Sequence, residues 1–188
     1  MTADRRRTTT RATLVDVALM LFRRQGISGT GVAEVCHAAG TSKGVFAHHF
    51  PGGKKALVVA CLERNGEDFA TLLDRTVARS DGSAAAVVQA LFSRYAELMR
   101  RYGTDIGCPM AAAAVDSRSG VAGAGSPAAV AVDRWRAEIT GRHAALAGHD
   151  ELVLATLEGA LVLARATGDP GALERTGGRL AEILRSAQ

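Results

Sequence analysis

Residues 30–54 read TGVAEVCHAAGTSKGVFAHHFPGGK, and this stretch decides the fold. It contains two short helical patterns around Gly40. Thr30 can cap a helix running to about Ala39, with Val32, Val35 and Ala39 as its inward face. Gly40 suits a left-handed position just past the helix end. Thr41 or Ser42 can cap a second helix that ends near Phe50, with Phe46 and Phe50 four residues apart on its buried side. Pro51-Gly52-Gly53 breaks the chain, and Lys54 opens the next helix. Two short helices about a tight turn, the second polar on its outer face, form a helix-turn-helix layout. In that layout the second helix enters the DNA major groove, a slot about 12 Å wide. Ser42, Lys43, Val45 and His49 can face outward, and Gly44 lets the backbone come close. Lys54 combines a side-chain cation with unsatisfied backbone N–H groups at a helix start, which makes a natural phosphate clamp. A generic helical hairpin fits the same pattern.

The charge distribution favours a polyanion at this end. Residues 1–60 carry nine Lys/Arg against three Asp/Glu, a net +6, whereas the remaining 128 residues net −2. A basic disordered tail accounts for Arg5, Arg6 and Arg7 equally well. It does not account for Lys43, Lys54 and Lys55, which lie inside patterned sequence. The 188 residues are 47% hydrophobic but only 4% aromatic, so the core must be built from Ala, Val and Leu. The three cysteines, Cys36, Cys61 and Cys108, provide no disulfide framework and point to a reducing cytoplasm. The opening MTADRRRTTTR has no apolar core of a signal peptide. The longest apolar run, Leu152 to Ala166, is interrupted by Glu158 and is too short to span a membrane.

Helical spacing recurs along the whole chain, and no stretch alternates as a strand would. Residues 1–10 read as a disordered basic arm. The first helix spans about Arg11 to Gln25, with Leu14, Ala18, Leu21 and Phe22 on one face. After the 30–54 stretch, helices are predicted from Lys54 to Val77, Ser83 to Tyr102 and Pro109 to about Ser117. Residues 119–126, SGVAGAGS, form a loop, and Ser126-Pro127 opens a helix carrying Val132, Trp135, Ile139 and Leu146. The last two helices are placed at about 151–166 and 172–186. In the first of these, Ala155, Gly159, Val162 and Ala166 form one stripe and Leu154, Leu157, Leu161 and Ala164 another. A helix apolar on two sides is buried on both. One side then faces its own core and the other a partner subunit, or the helix lies at the centre of a monomeric bundle. Leu173, Gly177, Leu180 and Leu184 continue such a stripe to the terminus.

The segment GTGVAEVCHAAGTSKGVFAHHFPGGKKAL resembles the N-terminal domain of the TetR/AcrR family of bacterial transcriptional repressors, strongly over residues 10–57. FPGGKKAL, GCPMAAAAVDS and LEGALVLARATGD look like the LmrA/YxaF-type branch. The resemblance implies an all-α chain of about nine helices. A three-helix DNA-binding domain (1–53) would precede a larger helical domain (54–188) for ligand binding and dimerisation. By position, Ser42, Lys43, Gly44, Val45 and His49 would face DNA, with Thr30 and Lys54 at the phosphates and His48 as a further contact. The family usually has Tyr where this chain has Ala47, so one backbone contact per half-site is in doubt. The implied partners are double-stranded operator DNA, a second copy joined through the last two helices, and a small-molecule effector; no cofactor, metal or membrane is implied.

The few large side chains of the body are the candidate pocket residues: Phe69, Phe92, Tyr95, Met99, Met110 and Trp135. Arg94, Asp116 and His143 are the polar groups that could orient a ligand. Such residues also occur as plain core. Three other classes fit less of the chain. A thiol sensor at Cys108 would use the helix start predicted at Pro109. A helical enzyme finds no C-x-x-C, H-E-x-x-H, G-x-S-x-G or P-loop pattern. An architectural helical dimer would need no effector.

Overall fold

Helix-forming runs separated by Gly, Pro and Ser set the elements of the chain. A computed structural model describes residues 2–116, 120–123, 125–142 and 144–186, with side chains from residue 11 onward except at 145. The described residues form nine α-helices and no strand. They are α1 Thr2–Gln25, α2 Val32–Ala38, α3 Lys43–His49, α4 Gly53–Val77, α5 Ala84–Tyr102, α6 Pro109–Ala114, α7 Pro127–Arg142, α8 Asp150–Thr167 and α9 Gly171–Ser186. A short 3-10 turn, Ala144–Leu146, precedes α8. His143 lies outside the described residues, and so does part of the 119–126 loop.

The first helix corrects one expectation. It starts at Thr2, not near Arg11, so the backbone of residues 2–10 is helical and not a disordered arm. No Gly or Pro occurs between Thr2 and Gln25, and Arg is a good helix former. The buried face also differs by one position. Leu14, Val15, Ala18, Leu19 and Phe22 are buried, while Leu21 is only half-buried.

The described chain divides into two compact units, residues 1–65 with 108–131 and residues 66–107 with 132–188. This division does not coincide with a cut between 53 and 54. α4 runs unbroken from Gly53, and its first half, with buried Leu57, Val58, Cys61 and Leu62, belongs to the first unit. α6 joins that unit as well and packs against α1. Within it, α1 also packs on α2 and α3.

The second unit is built around α9, which lies against α5 and α8. Close approach at the α5–α9 crossing depends on Gly177. A Cβ there would fall 2.4 Å from Phe92 Cβ and 2.6 Å from Phe92 Cγ. Leu173, Gly177, Leu180 and Leu184 are all buried within the chain. That stripe therefore serves the chain's own core, and the support it lent to a partner subunit falls away. α8 behaves differently. Val153, Leu154, Leu157, Ala160, Leu161 and Ala164 are buried, whereas Leu152, Ala155, Gly159, Val162, Leu163 and Ala166 are exposed.

Candidate nucleic-acid interface

α2 and α3 are only seven residues each, too short to persist without support. Their ends supply much of it. Gly40 adopts φ 62°, the left-handed conformation expected of it. Its N–H donates to His37 O at 3.1 Å and Thr41 N–H to Cys36 O at 2.9 Å, which closes the end of α2 in a Schellman arrangement. Ser42 caps α3, its Oγ accepting from Val45 N–H at 3.3 Å. Phe46 and Phe50 are buried with ring centroids 5.4 Å apart, and the Arg11 guanidinium lies 5.1 Å from the Phe50 ring centre.

The outer face of α3 is left to solvent. Ser42, Lys43, Gly44, Val45, Ala47 and His48 are exposed, and His49 is half-buried. Of the two histidines, His48 is therefore the more outward, and their rings meet edge to face at 5.3 Å. Ala47 leaves only a methyl where the family's usual Tyr would stand.

Two expected phosphate contacts are changed by the structure. Thr30 is 1% exposed, and its hydroxyl donates to Gly26 O at 2.8 Å. It is a staple of the α1–α2 turn, and its side chain cannot reach a phosphate. The cap of α2 is Gly31, whose N–H donates to Glu34 Oε2 at 3.4 Å. Gln25 Nε2 donates to Glu34 Oε2 at 2.8 Å, to Thr30 Oγ1 at 3.3 Å and to Gly29 O at 3.2 Å. One amide thus ties the end of α1 to the start of α2. Lys54 is half-buried, and its Nζ donates to Ile27 O at 2.5 Å, bracing the same turn from α4. An ammonium carries three donors, so this bond does not use up the cation.

The longest ties were invisible in the sequence because they join residues far apart. The widest is Ser28 Oγ donating to Asp116 Oδ1 at 2.8 Å, from the α1–α2 turn to the end of α6, 88 residues on. Asp116 is 7% exposed and lies in the first unit. Met110, buried on α6, also belongs to that unit.

The remaining pocket candidates lie in the second unit. Phe92 and Met99 are buried on α5, and Phe92 is committed to the contact at Gly177. Tyr95 is half-buried. Phe69 and Trp135 do come together: their rings are parallel within 5° at 3.8 Å. Trp135 Nε1 is buried and has no hydrogen-bond acceptor among the described residues. An N–H so placed fits a ligand acceptor.

The cysteines are buried, and none forms a disulfide among the described residues. Burial, and then the charge of Asp16, pushes the Cys61 thiol up to about 12, so it stays protonated and donates weakly to Val15 O at 3.7 Å. Cys108, at the start of α6, is 9% exposed, which gives oxidants little access. Among the described residues, no three His, Cys, Asp or Glu side chains group as metal ligands, and no helix is long and apolar enough to cross a membrane.

Comparison with known proteins agrees with this geometry. Residues 14–61, from α1 into α4, match the profile described as "Bacterial regulatory proteins, tetR family". A helix-turn-helix transcriptional regulator of Mycobacterium tuberculosis is 29% identical over an alignment that covers 93% of each chain. The regulator LmrA of Bacillus subtilis is 35% identical over 57 residues, 30% of each chain. The crystal structure of the regulatory protein TetR from Rhodobacter sphaeroides superposes with a TM-score of 0.70 at 26% identity, covering 89% of this chain and 96% of that one. The all-helical fold, the capped, outward-facing α3 and the tetR-family match over residues 14–61 together support a DNA-binding transcriptional regulator of the TetR type rather than an enzyme.

Proposed function

We propose that the protein is a repressor that binds a near-palindromic operator as a homodimer and releases it when a small molecule binds the second unit. The observation that carries the DNA part is the outer face of α3, exposed from Ser42 to Val45 and at Ala47 and His48 while Phe46 and Phe50 hold its inner side. Lys43 and Lys55 are exposed nearby in sequence and suit phosphates, as does the cation of Lys54. The dimer is supported by the outer face of α8, where Val162 is 63% and Leu163 56% exposed beside small residues. Two symmetry-related α3 helices would then enter successive major grooves about 34–36 Å apart.

The effector is supported by the unpartnered Trp135 N–H beside Phe69. A ligand releases DNA only by its differential affinity for two states of the protein. α4 is the natural lever, because one helix supplies residues to both compact units.

Selection of bound duplexes from a random library by the full-length protein tests the first part. A consensus with two-fold symmetry, bound by a dimer in sedimentation, is the expected result. An asymmetric single half-site bound by a monomer would end the dimer reading. The chain has a single Trp, so quenching of Trp135 fluorescence reports effectors directly. A compound that quenches Trp135 should also release the selected DNA.

A further inference from the structure

We infer that Val45 reads a thymine methyl group in the major groove and that this apolar contact is a principal source of base specificity on α3. The inference rests on α3 being the helix that docks in DNA. The helix is KGVFAHH. It has no Asn or Gln to pair with adenine and no Arg, so Lys43 is its one side chain for a bidentate contact to guanine O6 and N7. His48 can offer a single hydrogen bond. Ser42 Oγ is already accepting from Val45 N–H.

The rest of the outer face is methyl groups and backbone. With Phe46 and Phe50 inward, the helical period points Gly44 and His48 most directly out, with Val45 and Ala47 on the two flanks. The exposure pattern agrees: all four are exposed. A Cβ at Gly44 would meet nothing nearer than Ser42 Oγ at 3.7 Å, so nothing projects there to hold a duplex away. Val45 is 38% exposed on the flank of that gap. Valine is a weaker helix former than alanine or lysine, so helix stability does not explain its presence at an exposed site. Its χ1 is stiff in a helix, which holds the two methyls in one place. Among the base edges of the major groove, the C5-methyl of thymine is the apolar group such a probe can meet. The net +6 of residues 1–60 fits a nucleic acid against this face better than an apolar protein surface.

The test uses the duplex selected by the full-length protein. Each thymine is replaced in turn by deoxyuridine, which removes only the methyl. At one symmetry-related thymine per half-site, the wild type should lose about fourfold in affinity per half-site, the worth of one buried methyl. Val45→Ala should fold normally and lose most of that sensitivity, while Val45→Ile should keep it. Equal affinity for every uracil-substituted duplex, or the same uracil penalty in Val45→Ala, would overturn the proposal. Lys43→Ala separates this outcome from a failure of docking. If it weakens binding and flattens the salt dependence while uracil has no effect, α3 docks but Val45 does not read the methyl. If neither Lys43→Ala nor Val45→Ala changes binding, α3 itself is not the reader.

Discussion

The α1–α2–α3 region and the α5–α9 pair are held together by different physics. Around α2 and α3, short helices are located by hydrogen bonds at their ends: Thr30 to Gly26, Gln25 to Glu34, Lys54 to Ile27 and Ser28 to Asp116. Along α5 and α9, long helices are located by side-chain packing, closest where Gly177 meets Phe92. Hydrogen bonds are directional, so they fix where a helix end points. Packing is collective, so it fixes stability but tolerates rotation of a surface residue. A helix that must meet a DNA groove benefits from the first kind of support.

Gly177→Ala should give the largest effect. Overlap with Phe92 forces α5 and α9 apart, and a loss of about 3 kcal/mol is expected in denaturant unfolding. Gly178→Ala, at a neighbouring position with nothing within 4 Å of the added Cβ, should be neutral or slightly stabilising. Equal effects of the two would mean that packing at Gly177 is not what holds the pair.

Lys54→Met comes next. Removing the donor to Ile27 O should cost about 2 kcal/mol, since one partner is charged. If Lys54 also holds a phosphate, the slope of log affinity against log salt should fall by about one unit. A loss of stability with an unchanged slope would confine Lys54 to the turn. Thr30→Val should cost about 1 kcal/mol and leave Gly26 O without its hydroxyl donor. Its affinity for DNA should drop at temperatures where the chain is still fully folded. A variant whose DNA binding tracks its stability alone would erase the distinction drawn between the two regions.

The smallest effect expected is at the α7–α8 tie. Arg136 Nε donates to Asp150 Oδ2 at 2.7 Å, and that hydrogen bond holds the Asp150 carboxyl below its ordinary value. Because the folded value is the lower one, the stabilisation is present above the unfolded value and disappears as pH falls through the folded one. The melting-temperature gap between wild type and Asp150→Asn should be open near neutral pH and close as pH drops below about 4. A gap that widens in acid would mean that Asp150 is not stabilised as a carboxylate.

The helix order, Gly40 as the turn residue, Ser42 as a cap and the Phe46–Phe50 anchor were legible in the sequence because each depends on residues within about four positions. Thr30 was misassigned for an instructive reason. Thr and Gly31 both suit a helix start, and only the hydroxyl's bond back to Gly26 O shows that the cap lies one residue later. The stripe on α9 was read as a surface because α5, its main cover, lies some eighty residues earlier. The pocket candidates were chosen by size, and Asp116 by polarity; neither can say that Phe92 packs on α9 or that Asp116 accepts from Ser28.

Local chemistry was enough to place a helix-turn-helix between Thr30 and Lys54 and to mark Ser42, Lys43 and Val45 as outward, but not to put His48 further out than His49, since caps, periodicity and glycine conformation act over single turns of helix. It was also enough to show charge gathered at one end. Which side chains also brace the turns around α2 and α3 depends on contacts over long separations, such as Lys54 with Ile27 and Ser28 with Asp116. The same holds for the two apolar stripes of α8, of which folding covers the leucine-rich one and leaves the small-residue one in solvent. Hydropathy says that a surface favours burial, but what covers it depends on which distant helix the chain brings back.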